Sequence, residues 1–443
     1  MENKKNTEER REYRRKRRQR NQIAAYAVLF CIIALAAVAI VQGMKLHSSQ
    51  QQEENVVHES NQAVIDELIA TEEIIAPPTA SPEPTEVPKT AEELWEEKID
   101  AEIAAMPLTD KVAGLFLVTP ESITDVSKAV RAGEGTKEAL EKYPVGGLIY
   151  FKQNIQSKEQ LTEMIQNTKS YSKYPLFIAV DEEGGDVSRV ASAGLADKQP
   201  SAAEIGATGD ANNAYQTGAA IGTYLTDLGF NLDFAPVADL SNVEDSIMED
   251  RAYGSSAAVA APFVASMMTG LEEQGVTACL KHFPGIGSTT ADTHDGLVSI
   301  ERTAEELRAE ELAVFKAGID AGAQMIMVGH ADVEALSGDK TPACMSEVIV
   351  TDVLRGELGY QGIVITDALN MSAISEYYSS EQAAVMALKA GCDMILMPES
   401  FEQAYAGILN AVTDGTISEE RINDALKRIY RIKMADELEA VQP

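Results

Sequence analysis

Three stretches of the chain gather residue types that do acid, base or nucleophilic chemistry. The first runs Lys281-His282-Phe283-Pro284-Gly285-Ile286-Gly287 and continues to Asp292-Thr293-His294. Gly and Pro end an apolar run there and release a loop that brings back an Asp-x-His pair. An Asp two residues before a His can accept the imidazole N–H, which fixes the tautomer and raises its basicity, as a general acid/base requires. A zinc site built from His282, His294, His330 and Asp292 is the competing reading. No HExxH or comparably close-spaced ligand set supports it, so neither metal nor cofactor is expected.

The second stretch is Asp181-Glu182-Glu183-Gly184-Gly185-Asp186-Val187-Ser188-Arg189. Paired glycines allow a ligand close to the backbone, while Asp181 and Arg189 offer an acceptor and donors to sugar hydroxyls. A tight turn with a surface ion pair would look the same. The third is Ile365-Thr366-Asp367-Ala368-Leu369-Asn370-Met371. A lone carboxylate closes an apolar run there, placed to attack as a nucleophile, although an Asp at that point could also cap a following helix.

These residues need elements to hold them. Short apolar runs recur at 114–118, 146–151, 176–181, 231–237, 277–283, 324–330, 362–369 and 392–398, separated by Ala- and Glu-rich segments with helical spacing. Eight strands alternating with helices over about 340 residues fit an α/β fold of the (β/α)8 TIM-like barrel type. A doubly wound open sheet is the alternative. Asp181, Glu182 and Glu183 end the third run, Asp239 follows the fourth, Lys281 and His282 end the fifth, His330 ends the sixth and Asp367 the seventh. Barrel enzymes build their sites on the C-terminal rim, and five strands showing the same pattern outweigh the ordinary polarity of strand ends. After the eighth run comes one amphipathic helical stretch, and a second domain is not expected.

Charge separates the ends of the chain. Of a formal charge of −33, the first 20 residues contribute +6, leaving −39 on the rest. So acidic a body repels phosphate backbones, and nucleic acid is not an expected partner. Ile23 to Val41 is a 19-residue run without charge, about the length that crosses a bilayer, behind a basic flank that stays cytoplasmic. The expected organisation is a basic cytoplasmic tail (1–22), a transmembrane signal anchor (23–42), a polar stalk with a Pro-rich linker (43–94) and a catalytic barrel (95–443). That places the barrel outside a cell membrane, with a cleaved signal peptide as the alternative. Cys279, Cys344 and Cys392 show no disulfide spacing, and Cys279 and Cys392 lie in apolar runs as buried small hydrophobes.

Lys-His-Phe-Pro-Gly with its downstream Asp-x-His and Asp-x-Glu-Gly-Gly-x-Val-x-Arg resemble the β-N-acetylhexosaminidases of glycoside hydrolase family three. So do Asn231-Leu232-Asp233-Phe234-Ala235-Pro236-Val237, Asp250-Arg251 and Ile365-Thr366-Asp367. The resemblance covers roughly 100–435. It implies a retaining mechanism on a barrel, with Asp367 as nucleophile, His294 as acid/base and Asp292 tuning it. It also implies that Asp181, Arg189, Arg251, Lys281 and His282 bind the hydroxyls of a terminal N-acetylglucosamine. Larger β-glucosidase-like relatives take their acid/base from an added C-terminal domain, so a chain that stops after the barrel should use a loop residue. Two positions depart from the pattern: Ile286 stands where a second His is common, and Asp186 where many relatives carry Arg. The expected function is exo-β-N-acetylglucosaminidase acting on small carbohydrates, with peptidoglycan fragments as the natural class. A β-glucosidase or glycoside phosphorylase of the same family, and a catalytically silent sugar-binding protein of the envelope, are the alternatives.

Overall fold

Strands buried on both faces must be apolar at every position, which is why they stand out as continuous runs. All eight runs form strands in the structure, a computed structural model that describes residues 89–291, 296–435 and 438. The strands are β1 (Phe116–Val118), β2 (Gly147–Ile149), β3 (Phe177–Val180), β6 (Leu232–Asp233), β7 (Thr277–Phe283), β8 (Met325–Val328), β9 (Ile363–Thr366) and β10 (Ile395–Leu396). Two further strands, β4 (Glu182–Gly184) and β5 (Val187–Ser188), make a separate antiparallel hairpin beside the site.

The eight strands are all parallel, in the order β10-β1-β2-β3-β6-β7-β8-β9. An isolated parallel bridge joins Ile365 to Met394, and the Thr366 N–H donates to Met394 O, so the sheet comes round almost to closure. This is the TIM-like barrel and not the doubly wound sheet. Helices take the crossovers, among them Lys158–Tyr171, Asn212–Leu228, Ala257–Glu272, Glu311–Asp320 and Ser380–Ala390. Ser157, Thr303 and Ser379 cap helices by accepting a backbone N–H, and Thr303 and Ser379 complete reciprocal capping boxes with Glu306 and Gln382. The amphipathic C-terminal stretch forms the helix Glu419–Lys433, which packs against the first described helix, Ala91–Ala105. Trp95 Nε1 donates to Met434 O across that contact.

Residues 1–88, which hold the expected anchor, stalk and most of the linker, lie outside the described residues. Among the described residues no helix is long and apolar enough to cross a membrane. Cys279, Cys344 and Cys392 are free thiols, fully buried.

The seam between β9 and β10 rests on one fully buried carboxylate. Asp393 Oδ2 accepts the Val364 N–H at 3.0 Å and an Arg355 N–H at 2.6 Å, while Oδ1 faces Arg428 at 3.1 Å and Arg421 at 3.3 Å. Removing it leaves three guanidinium groups without their shared anion. Asp393→Ala is expected to cost about 3–5 kcal/mol of stability, the range for breaking a buried ion pair. Urea unfolding followed by circular dichroism measures it, and a loss below about 1 kcal/mol, as for a surface pair, would contradict the role.

Candidate active site

The C-terminal ends of the strands surround a cavity of about 330 Å³. Its walls include Asp181, Arg189, Arg251, Lys281, His282 and Asp367, so every described residue to which the family resemblance gives a site role faces one space. Asp292 and His294 lie outside the described residues.

β7 reaches the mouth with a register shift between Leu280 and Phe283. A bulge of this kind re-aims side chains, and both Lys281 and His282 line the cavity. The Lys281 ammonium is 3% exposed and sits 2.9 Å from Asp181 Oδ1 and 2.7 Å from Glu183 Oε1. Burial opposes its charge, but the two carboxylates outweigh burial and raise its pKa. Glu183 is gripped twice more by Arg251, whose Nε and Nη2 donate to Oε2 at 2.8 Å and Oε1 at 2.7 Å. Burial would push the Glu183 carboxyl up; Lys281 and Arg251 instead hold it down at about 2.

Glu183 reaches this position because the Gly-Gly segment folds into the β4–β5 hairpin. Gly184 and Gly185 take φ of +91° and +59°, conformations that suit glycine. The neighbouring Glu182 turns the other way. Its carboxylate accepts the Val190 and Ala191 N–H groups at 2.8 and 3.0 Å and the Tyr224 hydroxyl at 2.9 Å. It thereby caps the short helix Arg189–Ser192 and fixes Arg189 at its first position. Arg189 Nη2 stands 3.7 Å from Asp181 Oδ2, its guanidinium lies 5.9 Å from the Phe151 ring centroid, and its Nε makes no hydrogen bond.

Asp239, 1% exposed, organises the other wall. Its Oδ2 accepts the His282 backbone N–H at 3.1 Å and meets His282 Nδ1 at 2.8 Å, while Oδ1 accepts the Ile286 N–H at 2.8 Å. Nδ1 of His282 therefore carries a proton, and the ring is held in one orientation. Ile286, the residue in place of a second His, is buried and lines the cavity beside it.

Asp367 follows β9 directly, and its N–H donates to Val328 O at 2.9 Å. Its Oδ1 accepts the Ala368 N–H at 2.7 Å. The next helix, Ser372–Ser375, has Met371 at its N-cap, so Asp367 is not a helix cap. Burial pushes the carboxyl up, but His330, His282, the Ala368 N–H and Lys281 together hold it below the usual range. It is an anion at neutral pH, which a carboxylate nucleophile has to be. His330 Nε2 lies 2.8 Å from Ala368 O and its Nδ1 3.3 Å from Cys344 Sγ, which steadies the turn behind Asp367. Among the described residues no group of three or more His, Cys, Asp or Glu is arranged to hold a metal ion.

The sequence shows Asp239 only as strand-end polarity, Glu183 as part of the Gly-Gly motif without a role of its own, and His330 as strand-end polarity or a zinc ligand. Glu183 has partners 68 and 98 positions further along the chain, in Arg251 and Lys281, and Asp239 has one 43 positions along in His282. Nothing in local spacing shows such pairs.

A glycosyl hydrolase family 3 N-terminal domain matches residues 107–432, and the chain belongs to that family. It is 34% identical over 326 residues to β-hexosaminidase A of Pseudoalteromonas piscicida, covering 67% of this chain and 54% of that one. It is 35% identical to the β-hexosaminidase of Nitrosomonas eutropha, covering 60% of this chain and 77% of the relative. Among solved structures, a family 3 β-N-acetylglucosaminidase from Paenibacillus sp. superposes with a TM-score of 0.70 at 34% identity, over 76% of this chain and 64% of that one. The β-N-acetylhexosaminidase of Beutenbergia cavernae superposes with a TM-score of 0.66 at 26% identity, over 74% and 99%. The chain thus spans just over half the length of the Pseudoalteromonas relative.

The Glu183 cluster carries a pH signature. In the unfolded chain this carboxyl returns to about 4.5, so its contribution to stability is complete above that value and is lost as pH falls toward about 2. Glu183→Gln leaves Lys281 and Arg251 facing a neutral amide and is expected to cost about 3–5 kcal/mol at pH 7. Urea titrations across the acid range should show the gap between variant and parent narrowing as pH drops; a constant gap would contradict the assignment.

Proposed function

We propose that this chain is a retaining exo-β-N-acetylglucosaminidase. The observation that carries it is the convergence of the ionised Asp367 with Asp181, Arg189, Arg251, Lys281 and His282 around one cavity of about 330 Å³. That volume is at the small end for ligand sites and suits a single sugar ring held by several polar contacts. The likeness to β-hexosaminidases and β-N-acetylglucosaminidases favours N-acetylglucosamine as that ring.

In this reading the free oxygen of Asp367 attacks the anomeric carbon. The bond to the leaving oxygen breaks, and that oxygen takes a proton from His294, with Asp292 as the partner of the imidazole. A water then gives its proton to His294 and displaces Asp367, and the sugar leaves with its configuration retained after two inversions. Asp181, Arg189, Arg251, Lys281 and His282 hold the hydroxyls of the ring. The chain's own residues cover each step, and no cofactor is invoked.

The barrel is placed outside the cell by an anchor at 23–42, a reading carried by the 19-residue uncharged run and its basic flank. Peptidoglycan fragments ending in N-acetylglucosamine are then the natural substrates. The acidic body gives no electrostatic attraction to anionic wall polymers, so recognition is local to the cavity.

Asp367→Ala is expected to lower turnover of an aryl N-acetyl-β-glucosaminide by at least about 10⁴-fold while the protein stays folded. Activity equal to the parent would remove the nucleophile assignment. Run on the soluble fragment after the linker, the same assay with an aryl β-glucoside separates the glucosidase reading. Added inorganic phosphate separates a phosphorylase, and binding without turnover identifies a silent sugar-binding protein.

A further inference from the structure

The loop that carries the Asp-x-His residues leaves β7 at Gly285 and returns at Arg302, and both ends meet one buried side chain. That side chain is Glu311, the first residue of the helix Glu311–Asp320 and 1% exposed. On the outgoing side Gly285 has φ of +120°, and a Cβ there would stand 2.7 Å from Glu311 Cγ. On the returning side Arg302 Nε is 3.2 Å from Glu311 Oε1. The same oxygen accepts a hydrogen bond from Asn242 Nδ2 at 2.8 Å. Asn242 belongs to the segment after β6, which grips the loop at two more points. Ser246 Oγ donates to Gly287 O at 2.7 Å, and the Ile247 N–H donates to Thr289 O at 3.3 Å.

More polarity is buried here than packing alone explains. Glu311 Oε2, Asn242 Oδ1, Arg302 Nε and, on the loop itself, Ser288 Oγ are buried and make no hydrogen bond. Burying a carboxylate with an oxygen left over costs stability, and an apolar side chain of similar size would fill the space without that cost. Asn242, Ser288, Arg302 and Glu311 do not line the sugar cavity, so sugar binding does not account for them. What they share is the base of the loop.

We propose that Glu311 is a positioning residue that staples both ends of the segment between Gly285 and Arg302, and that proton delivery by His294, which this segment carries, depends on it. This rests on the reading of His294 as acid/base given above. Glu311 touches neither the sugar nor Asp367; it acts through the loop alone. Nucleophilic attack should therefore survive its loss, while proton delivery should not.

Leaving groups of different basicity separate the two. A 2,4-dinitrophenolate departs without a proton, whereas a phenolate needs one, and kcat/KM reports the step in which that bond breaks. For Glu311→Ala, kcat/KM on the phenyl N-acetyl-β-glucosaminide is expected to fall by about 10- to 100-fold, and on the 2,4-dinitrophenyl substrate by no more than about threefold. Gly285→Ala, which pushes Glu311 aside, and Arg302→Met, altering a partly exposed partner, should show the same split. Either one tests the staple if Glu311→Ala fails to fold. His294→Ala, run alongside, should show the split in its largest form. Equal losses on both substrates, or parent rates in the Glu311, Gly285 and Arg302 variants, would overturn the staple while leaving the His294 reading in place. A flat loss in His294→Ala would overturn the acid/base reading and the staple with it.

Discussion

The buried ammonium of Lys281 sets the terms for the rest of the site. A charge at that depth is tolerated only with anions around it, and Asp181 and Glu183 provide them at 2.9 and 2.7 Å. Those contacts tie the end of β7 to the end of β3 and to the hairpin β4–β5. Arg251 adds the loop after β6 through its two bonds to Glu183. Three separate stretches of chain, β7, β3 with its hairpin, and the loop after β6, are thus brought together by one set of charges. Lys281 also adds to the effect of His330, His282 and the Ala368 N–H in holding the Asp367 carboxyl below its usual range against burial.

The same arrangement reconciles an acidic protein with an ionised Asp367 in its cavity. Outside the basic N-terminal segment the chain carries −39, yet Arg189, Arg251 and Lys281 all face the cavity. Charges placed at close range in a partly desolvated space act more strongly than a diffuse surface potential. In the proposed reading, selectivity therefore resides in the first few ångströms around the bound sugar ring. Asp239 extends the principle to histidine, because one carboxylate fixes the ring of His282 and the backbone of Ile286 together.

Much of the fold was legible because a parallel barrel buries both faces of its strands, and each of the eight runs became one. The hairpin β4–β5 was not legible. Glu182-Glu183-Gly184 reads as a charged turn, and it becomes strand only because both carboxylates find buried partners, Glu182 at Val190, Ala191 and Tyr224, and Glu183 at Arg251 and Lys281. Asp367, Asp181 and Arg189 could be picked from residue type and position at strand ends. Arg251 has no local signature and came from the family pattern alone. Glu183, Asp239 and Glu311 owe their roles to partners 43 to 98 positions away, or to the crossing of two loop ends, which no local spacing records.

The central claim is that Asp367 takes the sugar as a covalent intermediate, and trapping that intermediate tests it most directly. A fluorinated N-acetylglucosaminyl fluoride slows the second step of a retaining enzyme more than the first, so the sugar accumulates on the nucleophile. After proteolysis and mass spectrometry, the account predicts a single added sugar on the peptide containing Asp367, absent from Asp367→Ala. A sugar on a different carboxylate, or turnover of unmodified substrates with no adduct under any trapping condition, would contradict it.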